Sequence, residues 1–130
     1  MSTLLLDTHA YVWALTAPQR LGERSRSEIL DSSNTLLVSA ASVWEMSIKH
    51  HSGKWPEVER LLDDHESLRT RLGADDLAIA SAHAHRAGRL RWQHDDPIDR
   101  MLAAQAMSID AILVTRDAAF AEVPGVHVLW

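Results

Sequence analysis

Four acids in this chain stand where they could do chemistry: Asp7, Glu45, Asp99 and Asp117. Asp7 follows the apolar run Leu4-Leu5-Leu6, and Asp117 follows Ile112-Leu113-Val114-Thr115-Arg116. Each comes just past a candidate buried strand, the end at which open α/β sheets collect their function. Each also has an ordinary role open to it, as a helix cap or a turn residue. Asp99 lies three residues after Asp96, within the first turn of a helix that Asp96-Pro97 would start. A capping-box-like role for Asp99 competes with one in which its carboxylate projects beside the strand ends. Glu45 falls, at about 100° per residue, on the stripe Ala41, Trp44, Ile48. An acid inside an apolar stripe is costly unless it is paired or binds a cation. The modest alternative is an i,i+4 pair with Lys49, worth ~0.3–0.5 kcal/mol on a helix surface.

If the first and fourth strands are neighbours, Asp7 and Asp117 converge. Two carboxylates about 4 Å apart repel by roughly 4 kcal/mol at an effective dielectric of about 20. Three or four in one pocket cannot all stay ionised without a cation. Oxygen-only ligands suit Mg²⁺ or Mn²⁺, and a carboxylate-bound Mg²⁺ readily takes phosphate as a further ligand. The chemistry this set would support is metal-assisted hydrolysis of a phosphodiester.

Other residues narrow the choice. The eight histidines contain no HExxH spacing, and the pairs His83/His85 and His50-His51 point to different faces of a helix, so surface roles are expected for them. His9 is close enough to Asp7 to line the same site. No cysteine is present, which excludes a disulfide scaffold, a thiolate metal site and a cysteine nucleophile. Asp7 is followed by Thr8-His9, so the Asp-x-Asp of a haloacid-dehalogenase-type phosphatase is missing, as are GxGxxG and Walker A patterns. Lys49, Lys54, Arg100 and Arg116 flank the acids, with Lys49 and Arg116 the foremost candidates for phosphate contact. Of the five tryptophans, Trp13, Trp44 and Trp92 are expected in the core or an interface.

The elements that must position these residues alternate along the chain. Strands are expected over 3–6, 35–38, 77–79, 111–114 and 126–129. Helices are expected over 10–15, 23–30, 40–51, 57–72, 80–87 and from 97 onward. Ser39 offers an N-cap and Gly53 a stop for the third helix. Short apolar strands alternating with helices argue for an α/β fold with a mainly parallel central sheet. The 130 residues, 46% apolar and 24% charged, fit one ordered domain over 1–130. The net charge of −5 disfavours a plain nucleic-acid-binding module but not an enzyme that holds a cation against phosphate. No apolar run approaches the ~20 residues of a membrane span, and Leu4-Leu5-Leu6 has no basic flank, so a cytoplasmic protein is expected.

Four segments, taken in order, resemble the PIN-domain ribonucleases, and specifically the VapC-like toxins of bacterial toxin–antitoxin pairs. They are Leu4-Leu5-Leu6-Asp7-Thr8-His9-Ala10-Tyr11-Val12-Trp13; Ser39-Ala40-Ala41-Ser42-Val43-Trp44-Glu45-Met46-Ser47-Ile48-Lys49 with Gly53-Lys54; His94-Asp95-Asp96-Pro97-Ile98-Asp99-Arg100-Met101-Leu102-Ala103-Ala104-Gln105-Ala106; and Leu113-Val114-Thr115-Arg116-Asp117. Ile98 stands where this branch more often has Phe, an apolar exchange. The resemblance implies a PIN-like α/β/α sandwich and a metal site of Asp7, Glu45, Asp99 and Asp117, with Thr115 as a supporting hydroxyl. It implies a Mg²⁺- or Mn²⁺-dependent endoribonuclease, a homodimer, held by a cognate VapB-like antitoxin. The competing expectation is a catalytically silent PIN-like module whose acids only cap helices and which acts through a protein or RNA partner.

Overall fold

The computed structural model describes residues 1–130. Five strands form one sheet: β1 (Thr3–Leu6), β2 (Thr35–Ser39), β3 (Ala74–Leu77), β4 (Ile112–Val114) and β5 (His127–Leu129). Their spatial order is β3-β2-β1-β4-β5, and every neighbouring pair is parallel. β1 is the central strand, and Leu4, Leu5 and Leu6 are all fully buried. An unbroken apolar run suits a strand covered on both faces.

The two faces divide the core. Leu4 and Leu6 pack with Val12 and Trp13 of α1 (Thr8–Thr16) and Ile29 of α2 (Glu23–Leu30), together with Met46 of α3 (Ala40–His51). The same layer takes Leu61 of α4 (Glu59–Asp63) and the partly buried Leu68 of α5 (His65–Leu72). Leu5 points the other way, as alternation along a strand requires. It packs with Ile98, Leu102, Ala103 and Ala106 of α7 (Pro97–Ser108), over which α6 (Ser81–Arg89) lies. The result is helix, sheet, helix, the α/β/α sandwich expected from the sequence.

Three expectations are corrected. The helix expected over 57–72 is a 3-10 turn (Pro56–Val58) followed by α4 and α5, separated at Asp64. Leucine spacing carries across the break, but Asp64 leaves helical geometry at φ −114°, ψ 28°. This brings His65 under α1, with its Nδ1 3.3 Å from the Tyr11 hydroxyl. The strand expected over 77–79 lies earlier, at β3, where Asp75 and Asp76 are exposed on the sheet edge. Acids on an edge strand deter stray pairing and mask the apolar signature of a strand. The stripe Ala41, Trp44, Ile48 is not the buried face of α3: Trp44 and Ile48 are exposed, at 58% and 46%, so of the core or interface expected for Trp44 only the interface is left. The buried face of α3 is Ala41, Ser42, Glu45 and Met46.

Candidate active site

The carboxyl ends of β1, β2 and β4 are adjacent, and the chain leaves each of them into a helical turn. Asp7 caps α1: its Oδ1 accepts from the Ala10 N–H at 2.8 Å, while its own N–H donates to the Val114 carbonyl at 3.0 Å. It is therefore tied to both β1 and β4. Ser39 caps α3, accepting from the Ala41 N–H, and α3 carries Glu45 inward. Asp117 opens the 3-10 turn Ala118–Glu122 and accepts from the Ala119 N–H at 2.9 Å. Asp96 caps α7, accepting from the Asp99 N–H at 3.0 Å, which fixes the turn that presents Asp99.

These elements bring all four predicted acids to one cavity of about 170 Å³, lined also by Thr8, His9, Lys49, Asp96, Leu102 and Phe120. Glu45 is buried, and its Oε2 meets Lys49 Nζ at 3.2 Å. Thr115 is buried behind the pocket, where its Oγ1 accepts from the Asp117 N–H at 3.1 Å and its hydroxyl acts on the Asp7 carboxylate. Arg116 is exposed, outside the pocket, with its guanidinium 5.1 Å from the centre of the Trp13 ring.

The electrostatics follow from crowding. Burial raises the Asp7 pKa, and the Glu45 charge adds to the rise, against the Thr115 hydroxyl, the Ala10 N–H and His9. Burial pushes Asp99 up to about 6, with Asp96 and Glu45 raising it further and His94 opposing. His94 Nε2 lies 2.6 Å from Asp99 Oδ2, and this hydrogen bond raises the histidine's own pKa.

The donor set fits a hard divalent cation: carboxylate oxygens dominate the lining, and two of the acids resist ionising alone. No three acids or histidines are gathered tightly enough to form a ready cage. Mg²⁺ does not require one, because it keeps several waters and binds directly through one or two carboxylates. Glu45, Asp99 and Asp117 each have one oxygen engaged within the chain and the other without a protein partner.

Two supports were not read from the sequence. His94 was expected at the surface, but it stacks on Trp92 at 4.7 Å and holds Asp99. Its place five residues before Asp99, ahead of the Asp96 cap, was the available signal. Gln105 is fully buried: it accepts from the Ser39 hydroxyl, and its Nε2 donates to the Ala78 carbonyl at 3.2 Å. It locks α7, and with it Asp99, to the end of β2. Arg100 is removed from the phosphate candidates. Its guanidinium is spent on the carbonyls of Ala87, Leu90, Trp92 and His94.

A PIN domain family model matches residues 4–126. Ribonuclease VapC16 of Mycobacterium tuberculosis (strain ATCC 25618 / H37Rv) is 30% identical over 88 residues, which are 55% of this chain and 62% of that protein. The match thus spans less than two-thirds of the relative. Among solved structures, DNA-bound VapBC from Salmonella typhimurium superposes with a TM-score of 0.73 at 23% identity, over 99% of this chain and 98% of the other. VapBC2 from Rickettsia felis, bound to a DNA fragment from its promoter, gives 0.70 at 17% identity over 98% and 97%. FitAcB from Neisseria gonorrhoeae gives 0.66 at 21% identity over 98% and 96%. At these identities the superpositions speak for the fold. The sheet order, the acids at its carboxyl edge and the match over 4–126 agree, and the chain belongs to the PIN domain family.

Proposed function

We propose that the chain is a Mg²⁺- or Mn²⁺-dependent endoribonuclease, a single PIN domain over residues 1–130 that acts in the cytoplasm as the toxin of a toxin–antitoxin pair. The observation that carries this reading is the convergence of Asp7, Glu45, Asp99 and Asp117 on one cavity. The names of its relatives, a ribonuclease and VapBC complexes, point the same way. The partners are an RNA substrate, a VapB-like antitoxin and a second copy of the chain in a homodimer. No helix is long and apolar enough to cross a membrane.

Asp7, Asp99 and Asp117 would hold the ion, and Glu45 would complete the site or orient the attacking water. When bound, the ion supplies charge neutralisation at the phosphate and a more acidic water. Thr115 steadies the turn at Asp117 through the bond from that residue's N–H, and its hydroxyl favours the ionised form of Asp7. His94 holds Asp99 so that its second oxygen faces the pocket. Lys49, at the rim beside Glu45, meets the phosphate as it enters.

The test uses the purified chain, free of antitoxin, with a mixed RNA pool. Cleavage is expected with Mg²⁺ or Mn²⁺, and none is expected with EDTA or in an Asp7→Asn/Asp99→Asn variant. A folded, metal-loaded wild type that leaves the pool intact would overturn the enzyme reading and leave the silent binding module.

A further inference from the structure

Beside the acid pocket lies a larger cleft of about 730 Å³, and the two share Asp7, His9 and Asp117. Apart from the shared acids, its charged residues are Arg20, Lys54, Arg116 and Glu57, so its own contribution is net positive. Two of these cations stand on one ring. The Arg20 guanidinium is 4.5 Å and the Arg116 guanidinium 5.1 Å from the centre of Trp13.

We propose that Arg20 and Arg116, held on Trp13, form a phosphate clamp for the single-stranded RNA segment next to the scissile linkage. The clamp rests on the ribonuclease reading and names where the substrate's backbone lies.

Neither guanidinium has a carboxylate within salt-bridge distance or a hydrogen-bond acceptor in the chain. Arg100 shows the opposite arrangement, with its donors satisfied by four carbonyls. An arginine held over an indole by its charge gives up no N–H donor to the ring, and its N–H edge matches two phosphate oxygens. Cation–π attraction therefore holds both charges without consuming their donors. The platform itself is fixed. Trp13 is 7% exposed and packs against His9 at 5.6 Å and Trp130 at 5.9 Å. Trp130 closes over it because Gly22 has no side chain: a Cβ there would lie 2.6 Å from the Trp130 carbonyl carbon. A protein's carboxylates could also meet two free arginines. RNA is favoured because the cleft runs into the acid pocket at Asp7 and Asp117, so a strand seated at the acids has a continuous path past the arginines.

The test measures binding of a short, fluorescently labelled single-stranded RNA over a salt series. It is done in an Asp99→Asn background so that turnover does not interfere. Arg20→Ala/Arg116→Ala is expected to weaken binding at least tenfold. It should also flatten the plot of log Kd against log salt by about 0.7 for each phosphate that is no longer neutralised. An Arg24→Ala/Arg26→Ala control, on the exposed side of α2, is expected to change neither. Trp13→Phe keeps a ring and should retain most of the affinity, whereas Trp13→Leu should approach the double-arginine loss with both arginines present. Both arginines are exposed, so their removal leaves the core intact. Affinity and salt slope equal to the control's would overturn the clamp and leave the cleft to a protein partner. Cleavage by the otherwise wild-type chain is scored separately, so the clamp and the ribonuclease reading fail independently.

Discussion

In the acid pocket five carboxylates face one lysine, whereas in the neighbouring cleft, outside the shared residues, three cations face one acid. The pocket gathers like charges, and burial makes Asp7 and Asp99 harder to ionise, so it is incomplete without a cation. The cleft gathers two like charges over one indole without a carboxylate partner, so it is open to an anion. An ion and a phosphodiester need these opposite arrangements side by side. The chain builds both with residues from α1: Asp7 at its cap, Trp13 one and a half turns on.

The sharpest way to break this contrast is to neutralise the pocket without reshaping it. Asn caps a helix about as well as Asp, so Asp7→Asn keeps α1 and removes only charge. Losing a partner that merely orients a ligand costs roughly 10–100-fold in metal affinity or activity. Loss of the ligand itself should exceed that, so cleavage by Asp7→Asn is expected to fall by more than about a hundredfold, with a melting temperature no lower than wild type. Unchanged turnover would remove Asp7 from the site. His94→Ala tests the orienting partner and should fall within the 10–100-fold range, with an increase in the metal concentration needed for half-maximal rate.

Next in size is a stability effect. Asp99 is pushed up to about 6 in the folded chain, against 3.8 for an ordinary aspartate. A carboxyl with a raised folded pKa binds its proton more tightly folded than unfolded. Without metal, stability should therefore rise as pH falls from about 7 towards 4, by up to about 3 kcal/mol. His94 acts in the same direction: its folded pKa is also raised, so its contribution is present at low pH and lost as pH rises through that value. Asp99→Asn should flatten this part of the curve and be more stable than the metal-free wild type near pH 7. Denaturant melts in EDTA across this pH range check it. Saturating Mg²⁺ or Mn²⁺ should stabilise only the wild type, by about 2.7 kcal/mol at a hundred times Kd.

The contrast also explains what could be read from sequence. Asp7 was legible because it directly follows an apolar strand, Asp117 because it lies three residues past one, and Asp99 because Asp96-Pro97 marks a helix start. Glu45 was placed on the buried face of α3, but for a partly wrong reason. Trp44 and Ile48, which defined the stripe, are exposed, and Ala41 and Met46 define the real one. Hydrophobic type does not reveal which apolar face of a short helix meets the sheet. The cleft was nearly illegible. Trp13, Arg20, Trp55, Arg116 and Trp130 are scattered along the chain, and only the fold sets them together. Gln105 and His94 act through hydrogen bonds to residues distant in the chain or irregularly spaced, which leave no periodic trace.

The smallest expected effect falls on the residue that joins the two regions. Lys49 reaches Glu45 in the pocket at 3.2 Å and stands 5.7 Å from the centre of the Trp55 ring in the cleft. Its side chain is 39% exposed, so the i,i+4 pair is worth no more than about 0.5 kcal/mol of stability. Lys49→Met keeps a flexible apolar stem on Trp55 and removes the charge. Stability should change by less than about 0.5 kcal/mol. Glu45 then faces the pocket without its cation, so divalent affinity should tighten a few-fold while KM for RNA rises a few-fold. A metal titration and a KM measurement on one variant separate the two regions. Shifts in opposite directions show Lys49 serving both, and a shift in KM alone confines it to the cleft.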